Sequence, residues 1–188
     1  MLPEAGFVRA VMGDGAEFTF RPSFARIASL GNPHEIVAIF AGLHGPHAEK
    51  DAAYVLACLC DQEDPSPLIG YREEDVWVPG AMPGAEMVII AQHLMRHGIV
   101  GKARPGGEEG EGKFSDRFDA VEYISAARVH LGLSSDDAEA LSMTEFQTMF
   151  EMKFPQKGDS KGRDVPTREE YEARMRQHEE MMRGRESR

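Results

Sequence analysis

Asn32-Pro33-His34-Glu35 is a helix start with every part in place. The Asn side chain accepts orphan amides of the first turn, and Pro in the first helical position gives up an amide that has no partner there. The acid in that turn meets the positive end of the helix dipole. Ile36, Val37, Ile39, Phe40 and Leu43 follow as an apolar stripe until His44-Gly45-Pro46 breaks it. A helix fixed this firmly needs neighbours to cover its stripe, and the flanking sequence supplies them. Pro22-Ser23 opens a shorter helix through Leu30, with Phe24, Ile27, Ala28 and Leu30 on its buried side and Gly31 as the stop. A third helix runs from His47 to Asp61 around Tyr54, Val55, Leu56 and Leu59.

Upstream, Phe7 to Met12 and Glu17 to Phe20 flank Gly13-Asp14-Gly15, where glycines supply the positive φ of a tight turn. Phe18 and Phe20 alternate with polar neighbours, so one face of this hairpin should be buried. Downstream, residues 62–82 read as a loop rich in acids and prolines, with one short strand at Asp75 to Val78. Pro83 to His97 is a fourth helix ended by Gly98; its apolar run also suits a buried strand, but its length and the Leu94-Met95 continuation favour a helix. Residues 101–113 are a Gly/Glu linker, because glycine and like charges bury too little surface to hold a fixed structure. A fifth helix runs from Asp116 to Leu131 behind Ser115, with Phe114, Phe118, Val121, Ile124 and Leu131 on one face and Gly132 as its end. Ser135 to Leu141 makes a short helix. Thr144-Glu145-Phe146-Gln147 has capping-box spacing and starts another, carrying Phe146, Met149, Phe150 and Phe154 to Pro155.

The expected fold class is therefore α+β, mostly α. An N-terminal β-hairpin packs on a helical bundle over 1–100, and a helical unit over 114–155 follows the linker. A polar spacer at 156–166 leads to a charged terminal helix at 167–188. No apolar run approaches the roughly 18 residues that a membrane helix needs. The N-terminus has no basic stretch followed by an apolar one, so the expectation is a soluble, cytoplasmic protein that engages no membrane. Charge narrows the partners further. The chain carries 21 Lys and Arg against 32 Asp and Glu, a net charge of −11 that would repel a phosphate backbone, so no nucleic acid is expected.

Chemistry-bearing motifs are weak. Residues 107–113 match the glycine and lysine spacing of a phosphate-binding loop, but Phe114 stands where magnesium binding needs Ser or Thr, and three glutamates would face the phosphates. His93 and His97 lie four apart on a helix and could share a metal, yet Leu94 replaces the glutamate of the zinc-protease pattern and no third ligand is visible. His44 and His47 sit in a Gly-Pro loop. Cys58 and Cys60 fall on nearly opposite faces of a helix, so they read as small buried hydrophobes. The acids Asp61, Glu63, Asp64, Glu73, Glu74 and Asp75 lack the glycine and terminal glutamate of a calcium loop and read as a solvated acidic loop. No nucleophile elbow is present. The expectation is a non-enzyme with no cofactor and no metal.

Methionine is the positive signal. Six of the 11 methionines fall at 143–182. For 143–155, core filling by Met149 and Met152 with Phe146 and Phe150 is favoured. For Met175, Met181 and Met182, with Tyr171, a thin apolar stripe on a Glu/Arg-rich helix is better explained as a docking segment, for a partner or another copy of the chain. Tyr171, Met175, Met181, Met182, Phe146 and Phe150 are the candidate partner-binding residues.

Two segments together carry a resemblance. Phe18 to Gly31 (FTFRPSFARIASLG), after a hairpin, resembles the strand-then-helix opening of tail assembly chaperones of long-tailed bacteriophages. Leu131-Gly132-Leu133-Ser134 to Met143-Thr144-Glu145-Phe146 is similar to that family's closing pattern of turn, short helix and Thr-x-Glu-Phe helix start. The family often has an aromatic in that short helix, where Ala138 and Leu141 stand here. The resemblance implies a non-enzymatic assembly factor in the host bacterial cytoplasm that binds the phage tape measure protein and recruits tail tube protein. A small phage or bacterial regulatory adaptor that binds a host protein is the alternative.

Overall fold

In the computed structural model, which describes residues 5–74, 76–102 and 115–155, β1 (Val8–Val11) and β2 (Glu17–Phe20) pair antiparallel with Val8 opposite Phe20. Two strands alone are marginal in water. This pair gains a third neighbour, because the chain leaving α3 (Ala48–Leu59) lies along β2: the Arg21 amide donates to Leu59 O at 2.9 Å and the Asp61 amide to Thr19 O at 2.8 Å. Phe18 and Phe20 are buried as the alternation requires. Thr19 is buried too, with its amide donated to Gln62 Oε1.

α1 (Phe24–Ala28) is capped by Ser23, and α2 (Pro33–Gly42) begins with the full capping box read from the sequence. Asn32 Oδ1 takes the His34 and Glu35 amides at 3.0 Å, and Glu35 returns a carboxylate to the Asn32 amide at 2.8 Å. Within 62–82 the sequence implied one strand. The structure instead forms a short helix, α4 (Ser66–Ile69), and a second antiparallel hairpin, β3 (Tyr71–Glu73) and β4 (Val76–Val78).

α5 (Gly84–Met95) is a helix, and its buried Met87, Ala91, Leu94 and Met95 pack on the buried face of α3. It does not stop at Gly98. A π-helical turn carries it to Val100, and Gly101, at φ +82°, ends it. Gly98 serves close approach rather than termination: a methyl group there would overlap the Ile27 side chain of α1.

The fifth helix likewise starts later than expected. Asp119, whose side chain accepts the Val121 amide at 3.0 Å, caps α6 (Ala120–Ala126), and a π-helical turn reaches Leu131 before Gly132 takes the left-handed conformation. Val121 is 64% exposed, so it leaves the expected stripe; Phe118, Ile124 and Leu131 keep their places in it, and Ala120, Tyr123 and Ala127 join them. α7 (Ser135–Ala140) is capped by Ser134. α8 (Met143–Lys153) opens with a capping box, but one residue pair earlier than its sequence suggests: Ser142 accepts the Glu145 amide, and Glu145 accepts the Ser142 amide at 2.9 Å. Thr144 has a different task, described below.

Residues 115–153 do not stand apart from the described residues before the linker: they form one unit with one core. Phe24, fully buried, is its hinge point. Its ring lies 6.5 Å from Phe118, 5.7 Å from Tyr123 and 6.0 Å from Phe146, and its amide donates to Leu141 O at 2.8 Å. The Phe118 amide in turn donates to Pro33 O at 2.9 Å. The fold is α+β and mostly helical, with small antiparallel hairpins on a helical core. Among the described residues no helix is long and apolar enough to cross a membrane. The phosphate-loop candidate at 107–113 with Phe114, the spacer and the terminal helix lie outside the described residues.

Candidate functional site

An open groove of about 1180 Å³ runs between the N-terminal half of α3, the N-terminal half of α5 and the β3–β4 hairpin. Its apolar lining comes from Ala53, Tyr54 and Ala57 of α3, Ile69 of α4, Trp77 of β4, and Ala85, Met87, Val88 and Ile89 of α5. Ligand pockets for small molecules span roughly 300–1,000 Å³ and enclose what they bind. This one is larger and open along one side.

The hairpin wall is held in place by backbone rather than by its own length. Strands of three residues cannot hold each other in water. Gly70 takes φ +92°, and a methyl group on it would overlap Val78 O; a methyl group on Gly80 would overlap Leu68 O and the Gly70 amide. The two chain segments therefore cross as closely as backbone permits. Met82 donates its amide to Leu68 O at 2.8 Å and Ala81 to Pro67 O at 3.0 Å, and the buried side chains of Leu68, Ile69 and Met82 anchor the base in the core. Beyond that anchor the hairpin shows apolar surface. Val76 is 66% exposed, and Tyr71 and Trp77 are about half exposed. Ile89, which also lines the groove, is 65% exposed. On α3, Tyr54 is positioned by donating its hydroxyl to Leu30 O at 2.9 Å.

The charged side chains that line the groove balance, Glu49 and Asp51 against Lys50 and Arg72. Glu49 also lies against Gly84, at the positive end of α5, where the capping residue Pro83 offers no side-chain acceptor.

The sequence-derived candidates distribute differently. Phe146 is buried in the aromatic cluster, and Phe150, half-buried, packs against it with its ring tilted by 36° at 5.6 Å. Both belong to the packing of α8 on the core. Met149 and Met152 do not fill the core as expected; Met152 is 80% exposed, because α8 turns Met143, Thr144 and Phe146 inward and those two methionines to its outer side. Tyr171, Met175, Met181 and Met182 lie outside the described residues.

His93 and His97 do come together, with ring centroids 4.6 Å apart. Their third neighbour is a hydroxyl, not a ligand for a metal: His97 Nδ1 shares a hydrogen bond of 2.8 Å with Thr144 Oγ1, tying the end of α5 to α8. Burial holds both imidazoles below their ordinary pKa, helped by Arg96 and, for His97, by His93. Among the described residues no three His, Cys, Asp or Glu side chains gather to hold a metal ion. His44 donates from Nδ1 to Phe40 O at 3.1 Å, and His47 borders the groove.

The acidic loop is partly structural. Asp61 pairs with Arg21 at 2.6 Å and Arg26 at 3.0 Å, and Asp64 accepts the Ser66 amide at 3.0 Å. Cys58 lies on α3, whereas Cys60 follows its end and bridges Phe20. Burial raises both thiol pKa values, which disfavours the thiolate form.

The sequence marked 75–78 as a strand but not as one wall of a groove. The only local signal for the groove was the Gly70 and Gly80 pair flanking an apolar, aromatic run, and its meaning depends on which backbone passes beside it.

No curated protein and no solved structure matches the chain. The model of a family of unknown function, DUF6246, matches residues 46–173 and so takes in α3, the hairpin, α5 and the helices from α6 to α8. The match spans more than half of the chain, and the protein therefore belongs to that family of unknown function.

Proposed function

We propose that the protein works by binding rather than catalysis, as a tail assembly chaperone of long-tailed bacteriophages. It covers apolar surface of the tape measure protein and brings tail tube subunits to it in the host cytoplasm. The observation that carries this reading is the groove: apolar side chains of three elements stand exposed side by side, where a monomer with no partner would gain by burying them. The resemblance supports the same reading, since its two segments, 18–31 and 131–146, meet at Phe24 and Phe146 as one structural unit. An acidic protein with a reversible apolar seat keeps long amphipathic helices soluble until a tube encloses them.

Co-expression tests this. A tape measure protein that is insoluble alone should appear in the soluble fraction with this chain and co-purify with it. Continued insolubility would refute the reading, and one abundant host protein captured from uninfected lysate would favour the adaptor instead.

A further inference from the structure

We infer that His93 and His97 form a two-imidazole seat for one divalent transition-metal ion, of the Zn2+, Ni2+ and Cu2+ class, where α5 passes into its π-helical turn. Four residues apart on one continuous helix, the two side chains share a face. Single π-turns inside helices occur frequently at functional sites. Distance decides whether the pair can share an ion. A ring nitrogen lies about 1.1 Å from the centre of its imidazole and about 2.1 Å from a bound Zn2+, so two rings that hold one ion at about 90–110° have centres about 4.5–5.2 Å apart. The centres of His93 and His97 are 4.6 Å apart, and the rings are inclined by 53° rather than stacked face to face.

The state of the rings suits a ligand. Thr144 donates its hydroxyl to His97 O at 3.5 Å, which leaves its oxygen to accept from His97 Nδ1 at 2.8 Å. That contact fixes the Nδ1–H tautomer and frees the Nε2 lone pair, the way a second group orients a ligating imidazole. Burial, helped by Arg96, keeps both rings neutral at neutral pH, and only the neutral ring binds a metal. Arg96 itself is exposed, so water weakens its repulsion of an ion. Imidazole nitrogens select zinc, nickel and copper over magnesium and calcium, which take oxygen ligands. Both histidines are half-buried, and among the described residues no third ligating side chain joins them. The remaining coordination positions therefore fall to water or to a donor from a bound partner, which makes the seat an open one.

Calorimetric titration of the chelator-stripped full chain with Zn2+ tests this. One equivalent should bind, an excess of Mg2+ should not displace it, and His93→Gln and His97→Gln should each abolish it with an unchanged circular dichroism spectrum. In the unsubstituted protein the ring signals of His93 and His97 should be the ones that Zn2+ moves in NMR, a readout that decides the matter even if a substitution unfolds the chain. Thr144 is a positioning residue here. Thr144→Val should weaken Zn2+ binding about tenfold and Thr144→Ser should restore it, whereas a hydroxyl that only packs α8 would leave the affinity unchanged in both. Zn2+ bound as tightly by His93→Gln as by the unsubstituted chain would overturn the seat. So would uptake that moves His44 and His47 instead, uptake that Mg2+ displaces, or no uptake.

Discussion

Replacing Phe24 by Ala removes the ring where α1, α6 and α8 meet and leaves its backbone hydrogen bond to Leu141 in place. A fully buried Phe truncated to Ala costs about 3–5 kcal/mol, the spread reflecting how far the site collapses. Phe24 has 0% exposure and rings on three sides, from Phe118, Tyr123 and Phe146, and each such contact is worth about 0.5–1.5 kcal/mol beyond area. That places the change at the upper end, about 5 kcal/mol. A domain of this size loses about 3 °C of Tm per kcal/mol, so Tm should fall by about 15 °C. Phe24→Leu keeps most of the volume and should cost about 1.5 kcal/mol, or about 5 °C. Differential scanning calorimetry should show one transition in all three proteins, and amides of α8 should lose hydrogen-exchange protection together with those of α1. Two transitions, only one of them moved by the substitution, would refute the shared core and restore an independent unit at 114–155. So would a fall of under about 3 °C.

Other predictions follow from single contacts. Arg26 donates to Cys60 O and, at 3.3 Å, to Cys58 O, and its other terminal nitrogen pairs with Asp61 at 3.0 Å; Arg26→Ala should cost about 2 kcal/mol in urea unfolding, and a loss below about 0.5 kcal/mol would show the cluster is solvated. Ser142→Ala should destabilise by about 1 kcal/mol through the lost cap. Thr144→Val should instead move the His97 titration seen by NMR; if Thr144→Val alone destabilised the start of α8, the cap assignment would be wrong. Because the folded chain binds protons at His93 and His97 less tightly than the unfolded chain does, stability is fully present above the ordinary value of 6.5 and is lost as pH falls below it toward the lower folded values. A Tm that does not fall between neutral pH and pH about 5.5, or falls equally in His93→Gln/His97→Gln, would contradict this.

What the sequence determined was local. The Asn32-Pro33-Glu35 cap, the Gly13 to Gly15 turn and the Ser23 start each depend on groups within a few residues, so residue identity alone specified them. The α+β, mainly helical class follows from the same short-range signals. Tertiary structure decided whatever needed a distant neighbour. Gly98 reads as a stop, yet it serves contact with Ile27, and α5 runs on to Gly101. Thr144 reads as the cap of α8, yet it bonds His97, far away in sequence, and Ser142 caps the helix instead. Met149 and Met152 are helically spaced with Phe146 and Phe150, but periodicity fixes a stripe's existence and not which stripe a crowded core accepts. The groove is the extreme case, since its walls come from α3, β4 and α5, and no stretch of sequence contains the distance between them.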